Sequence, residues 1–102
     1  MTTQKLIDFF ENNGFIVNTA KEDNILCAEI EKWTKGGVDM IIYLYPFSVK
    51  EFKSYVDDFD IDENIDLHRQ GIDYRNAFSI SEALDDFSHF HKHLKDIAKK
   101  LN

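Results

Sequence analysis

The chain has 102 residues, 43% of them hydrophobic and 14% aromatic, with one proline and a formal net charge of −7. That length predicts one domain spanning residues 1–102, and the apolar content excludes disorder. No apolar run approaches the ~18 residues of a membrane span, a lone cysteine excludes an internal disulfide, and the acidic balance disfavours direct contact with nucleic-acid phosphates.

Thr2 or Thr3 can cap a first helix, in which Leu6, Phe9 and Phe10 follow at helical spacing until Gly14 supplies a left-handed stop. Residues 15–20 alternate as a strand does, with Phe15, Val17 and Thr19 on one face and Ile16, Asn18 and Ala20 on the other. After a polar turn at Lys21-Glu22-Asp23-Asn24, a second strand from about Ile25 to Trp33 buries Leu26, Ala28 and Ile30. Cys27, Glu29, Glu31 and Trp33 then point away. Cys27 reads as a packing residue, because no base lies near it in sequence to favour a thiolate.

Thr34-Lys35-Gly36-Gly37 forms a hairpin loop. The third strand, Val38 to Tyr45, is apolar on both faces, which predicts a central strand or a covered outer face. Pro46 ends it, having no N–H to give a ladder. Ser48-Val49-Lys50-Glu51 is a capping box, opening a helix with Val49, Phe52, Val56 and Phe59 on one stripe and Asp57 and Asp58 opposite. Asp60 or Asp62 can cap a shorter helix ending at Gly71, although Ile65 and Leu67 also fit an alternating strand, and residues 72–78 read as extended or looped. A second capping box, Ser79-Ile80-Ser81-Glu82, opens the strongest periodic run, with Ile80, Ala83, Leu84, Phe87, Phe90, His91, Leu94, Ile97, Ala98 and Leu101 on one face. Asp85 and Asp86 near its start and Lys92, Lys95, Lys99 and Lys100 towards its end suit the helix dipole. The order α-β-β-β-α-α-α predicts an α+β fold, a three-stranded antiparallel meander with helices packed on one face.

Nearly all of the net charge sits in one decade. Residues 57–66 hold Asp57, Asp58, Asp60, Asp62, Glu63 and Asp66 and no base, and removing these six from the 19 acids leaves 13 against 12 bases. Three uses compete. A calcium loop is suggested by Asp58, Asp60 and Asp62, but the sixth position is then Glu63 in place of Gly and the twelfth is Arg69 in place of Glu. A magnesium-assisted hydrolase or nuclease could use Asp60, Asp62 and Glu63 with His68 as base, without any phosphate-cradling Gly loop. An anionic docking surface is the third, against the plainer alternative of a solvated face whose acids pair with His68 and Arg69. Concentrated like charge is self-repelling, and a basic partner offsets that cost while speeding association in a salt-sensitive way.

His89 and His93, one helical turn apart with Asp85 a further turn back, look like a metal stripe, yet exposed helix-surface histidines explain them more simply. His91 is expected to be partly buried and hydrogen-bonded. On the outer sheet face, Trp33, Tyr43 and Tyr45 beside Glu29 and Glu31 have the aromatic-among-polar character of an interface, unless a helix or loop covers them.

Two stretches, Trp33-Thr34-Lys35-Gly36-Gly37-Val38-Asp39-Met40 and the run from Tyr55-Val56-Asp57-Asp58 to Leu67-His68-Arg69, resemble a family of small acidic bacterial proteins carried on plasmids and phages of Gram-positive bacteria. The resemblance brings no catalytic motif, so no catalytic residue, metal site or cofactor is expected from it. By size, charge and context the chain also resembles anti-defence inhibitors, including anti-CRISPR proteins. That resemblance implies a non-catalytic protein, a nucleic-acid mimic that inhibits a nuclease or other nucleic-acid-handling enzyme through its basic surface, and the unpaired Cys27 with no signal peptide leads to the expectation of a cytoplasmic one. The partner-binding residues expected are Asp57, Asp58, Asp60, Asp62, Glu63 and Asp66, with Trp33, Tyr43 and Tyr45 contributing partner choice. The alternatives are the hydrolase built on Asp60, Asp62, Glu63 and His68, and a structural homodimer joined through the strand Val38–Tyr45.

Overall fold

Turn chemistry builds the sheet. A computed structural model describes residues 1–69 and 80–101, with the backbone alone at 68, 69 and 80. Its elements are α1 (Thr3–Asn12), β1 (Ile16–Glu22), β2 (Ile25–Trp33), β3 (Asp39–Leu44), α2 (Val49–Asp57), α3 (Ile61–Arg69) and α4 (Ile80–Lys99). Thr2 is the cap of α1, its Oγ1 accepting the Lys5 N–H at 3.2 Å. Gly14, at φ +87°, lets the chain turn so that the Phe15 N–H reaches the Phe10 carbonyl at 3.0 Å and closes the helix.

The expected four-residue turn before β2 is narrower in fact. Asp23 and Asn24 take φ +52° and +65°, the left-handed pair that a two-residue hairpin loop needs, so Lys21 and Glu22 continue β1. In the second loop the Thr34 N–H donates to the Val38 carbonyl at 2.8 Å and the Val38 N–H to Thr34 Oγ1 at 3.0 Å. The three strands form the expected antiparallel meander, ordered β1-β2-β3. The α+β order α-β-β-β-α-α-α is therefore the observed one.

The central strand is β2. Among the described residues the expectation that Val38–Tyr45 is central or covered is not met: β3 lies at the edge of the sheet and no described helix covers its outer face. Its hydrophobicity has another reason. Met40, Ile42 and Leu44 are buried on the inner face, while Ile41 and Tyr43 stand exposed on the outer one. Beneath the inner face, Phe10 sits at the focus of the core, edge-on to Phe9, Phe15 and Phe52 at centroid distances of 5.6, 5.5 and 5.0 Å. Phe87, Phe90, Leu94, Ile97 and Leu101 close the core from the α4 side. Leu84, placed on that stripe by its spacing, is exposed, because α4 turns Ala83 and Phe87 inward instead.

Ser48 caps α2, accepting the Glu51 N–H at 3.2 Å. Asp60 rather than Asp62 caps α3, its Oδ1 accepting the Glu63 N–H at 3.1 Å. The segment 61–69 is thus helical, with Ile65 buried and Leu67 exposed, and no strand forms there. The expected stop at Gly71, the extended stretch 72–78 and the Ser79 cap lie outside the described residues.

Asp86 does more than complement a dipole. It is buried, and it accepts the Thr34 hydroxyl at 2.6 Å and the Gly36 N–H at 2.7 Å, which ties the β2–β3 loop to α4. Replacing it strands the buried Thr34 hydroxyl and frees the part-buried Gly36 N–H. Asp86→Ala is expected to lower stability by about 2–4 kcal/mol in urea unfolding, whereas exposed Asp85→Ala changes it by no more than about 0.5 kcal/mol.

Candidate functional site

The outer sheet face can be built from the register. Ile16, Glu31 and Ile41 form one row across the three strands, Asn18, Glu29 and Tyr43 the next, and Ala20 and Cys27 the one after. Trp33 pairs with Asp39 at the far end. Ile41 is 54% exposed, Trp33 50% and Tyr43 49%. Among the described residues the face stays open because the helices pack on the other side of the sheet, against Ala28, Ile30 and Ile42.

The tyrosines order one another. Tyr43 and Tyr45 stack with centroids 6.2 Å apart, and the Tyr43 hydroxyl donates to Glu22 Oε2 at 2.8 Å. Cys27 is buried beneath this layer and donates its S–H to the Ala20 carbonyl at 3.5 Å, the packing role expected of it. Hydrogen bonding of the protonated phenol to Cys27 and then to Glu22, followed by burial, pushes Tyr43 far above its ordinary range.

All six acids of the 57–66 run are exposed, and among the described residues none is in an ion pair. They do not form one undivided patch. Asp58, the C-cap of α2, and Asp60, the N-cap of α3, mark the corner between the two helices. Asp58, Asp60 and Glu63 enter a groove of about 560 Å³ between that corner and β3. Asp57 borders a separate hollow, beside Lys53, Lys95 and Lys99. Asp62 and Asp66, one turn apart on α3, line neither. The D-x-D-x-D pattern therefore belongs to a tight helix–helix corner, and the twelve-residue loop a calcium site needs is replaced by α3.

A fourth carboxylate completes the groove and was not singled out from the sequence. Asp39, the first residue of β3, stands opposite Asp58, Asp60 and Glu63, with Ile41, Phe59 and Leu67 providing apolar walls. Its Oδ1 is buried without a hydrogen-bond partner among the described residues. Asp39 also joins the groove to the outer face. It raises the pKa of Glu31, mainly by hydrogen-bonding its protonated form, with burial and the charges of Asp39 and Glu29 adding to the effect. On the opposite wall, burial and then the Glu63 charge push the Tyr55 phenol up to about 12. The signal for Asp39 was present: it shares the alternating phase of Ile41 and Tyr43, and a carboxylate on that phase meets Glu31 diagonally across the ladder.

The histidines divide as expected. His91 is half-buried, stacks on Phe59 at 4.8 Å, and donates its Nε2–H to the Val56 carbonyl at 3.0 Å. His89 and His93 are exposed. His93 is held below its ordinary pKa by burial first and then by the Lys32 charge. Among the described residues no three His, Cys, Asp or Glu side chains are arranged to hold a metal ion. The side chains of His68 and Arg69 lie outside the described residues, so the Asp60, Asp62, Glu63 and His68 grouping is seen only in part. The chain matches no protein-family model, no curated protein and no solved structure.

The Glu31–Asp39 pair has a readable titration. The folded chain holds the Glu31 proton to higher pH than the unfolded chain, so the pair's contribution to stability falls as pH rises from the ordinary to the raised value. Asp39→Asn is expected to bring Glu31 back towards the ordinary carboxyl range in an NMR carboxyl titration and to flatten that part of the stability profile.

Proposed function

We propose that this protein is a non-catalytic docking protein that sets an anionic groove against the basic surface of a protein partner, one of the class that handles nucleic acid and so displays Lys and Arg for phosphate. The observation that carries the reading is the groove itself: Asp39, Asp58, Asp60 and Glu63 converge on it, and among the described residues no Lys, Arg or His lines it. Carboxylates left without internal cations attract external ones, and the attraction weakens with salt. The neighbouring Ile41, Tyr43 and Trp33 add apolar area that a purely electrostatic contact would lack. The resemblance to mobile-element proteins favours an inhibitory, anti-CRISPR-like role for such docking.

The test is binding to an RNA-guided nuclease free of its guide, followed across salt. The expected result is affinity that falls as salt rises, competition by guide RNA, and roughly tenfold or greater weakening in the Asp58→Asn, Asp60→Asn, Glu63→Gln triple variant. Asp62→Asn with Asp66→Asn should weaken it less. Absence of binding, or equal binding by wild type and triple variant, removes the reading.

The exposed apolar residues of β3 support a second reading, a homodimer through that strand and the outer aromatics. Sedimentation at two concentrations separates them, since a dimer gains mass with concentration in the absence of any partner.

A further inference from the structure

The third strand presents an unfinished ladder. The Thr34 N–H bonded to the Val38 carbonyl fixes the phase of the β2–β3 pairing, because bonded pairs recur at every second position of an antiparallel ladder. Met40, Ile42 and Leu44 therefore direct their N–H and C=O groups to β2, and Asp39, Ile41 and Tyr43 direct theirs outward. The two-residue turn at Asp23-Asn24 gives the same answer: it assigns Ile25, Cys27, Glu29 and Glu31 to β1, leaving Ala28, Ile30 and Lys32 for β3. Among the described residues, no hydrogen bond reaches the outward groups of Asp39, Ile41 or Tyr43.

We infer that this edge is a strand-addition site for an extended segment of the partner that carries Lys or Arg at alternate positions. The inference rests on the docking reading above and specifies the form of the partner. Positions 39 to 43 span about 13 Å, enough for a strand of about five residues. Alternate side chains of an added strand point to opposite faces. Those on the helix side would enter the groove, where Asp58, Asp60 and Glu63 await them. Those on the other side would stand beside Ile41 and Tyr43. Lysine and arginine suit the groove twice over, since their aliphatic stems can cover Phe59 and Leu67 while their heads reach the carboxylates. Main-chain bonds supply affinity and the alternating side chains supply selection. A second copy fits this edge poorly, because it would bring together two chains of net charge −7 with acidic grooves adjoining the shared strand.

The probe is a heptapeptide of alternating Lys and Val, used with a twin in which alternate backbone amides are N-methylated so that its charge is unchanged. Amide hydrogen exchange of the full chain is read by NMR. The plain peptide is expected to slow exchange at Ile41 and Tyr43 by at least about tenfold and the twin to leave both unaltered. The Asp58→Asn, Asp60→Asn, Glu63→Gln variant should weaken the plain peptide. Ile41→Pro removes an outward N–H without touching the β2 bonds and should also lose the protection. If that variant fails to fold, the N-methylated twin still decides. Equal binding of both peptides without protection overturns strand addition and leaves charge docking standing. Binding by neither peptide at any salt, alongside retained nuclease binding, overturns strand addition alone, and loss of both overturns the docking reading as well. Protection at Ile41 that grows with protein concentration before any peptide is added assigns the edge to a second copy and overturns the inference.

Discussion

The buried carboxylate of Asp86 holds the β2–β3 turn to the helix layer, and much of the molecule follows from that turn. By accepting Thr34 Oγ1 and the Gly36 N–H, Asp86 fixes the loop in which Thr34 bonds Val38. That bond sets the phase of the β2–β3 ladder. The phase decides which backbone groups of β3 are consumed within the sheet and which face outward. It also carries the side chains with it: Met40, Ile42 and Leu44 go to the core, and Asp39, Ile41 and Tyr43 go to the open side. A contact between residues some fifty positions apart in sequence thus determines the chemistry of a surface it does not touch.

Among the described residues a single helix layer packs on a three-stranded sheet and leaves the other sheet face open. In most small domains such a face is polar, with the apolar residues of each strand confined to the core side. Here it carries Ile16, Ile25, Trp33, Ile41 and Tyr43. Edges of this kind are usually blunted by charge, and among the described residues the charges that line the groove beside β3 are of one sign: Asp39 on the strand, and Asp58, Asp60 and Glu63 across from it. One-signed charge repels a second copy and admits a cationic segment, which is a selective way of guarding an edge.

Most local features were legible in the sequence because their causes are local, although Thr2 stood beside Thr3, Asp60 beside Asp62, and the two-residue turn inside a four-residue one. Thr2, Ser48 and Asp60 cap helices through side-chain oxygens three residues from the N–H they accept, and Gly14 and the Asp23-Asn24 pair adopt backbone angles few other residues tolerate. The strand order was legible because short connections leave neighbours in sequence few alternatives to being neighbours in space. The edge position of β3 was not, since apolar residues on both faces of a strand look alike whether a helix or nothing covers the second face. Asp39 was hidden by its sequence neighbours, because its significance comes from Glu31 and from a helix corner some twenty residues further on. The acidic run looked like one patch for a related reason. Successive helical residues diverge by 100° and the corner at 58–60 redirects the chain, so adjacent letters such as Asp57 and Asp58 end on different hollows.

Trp33 lies opposite Asp39 at the mouth of this edge, half exposed, and it is the chain's single tryptophan. The fourteen-percent aromatic content is otherwise phenylalanine and tyrosine, so the long-wavelength emission of the protein comes from that one indole. Its colour therefore reports on the polarity beside β3 rather than on the interior, where the aromatic rings are phenylalanine. Anything that settles there and excludes solvent from the indole shifts the emission to the blue without a label, and the protein carries its own optical gauge of whether the edge is occupied.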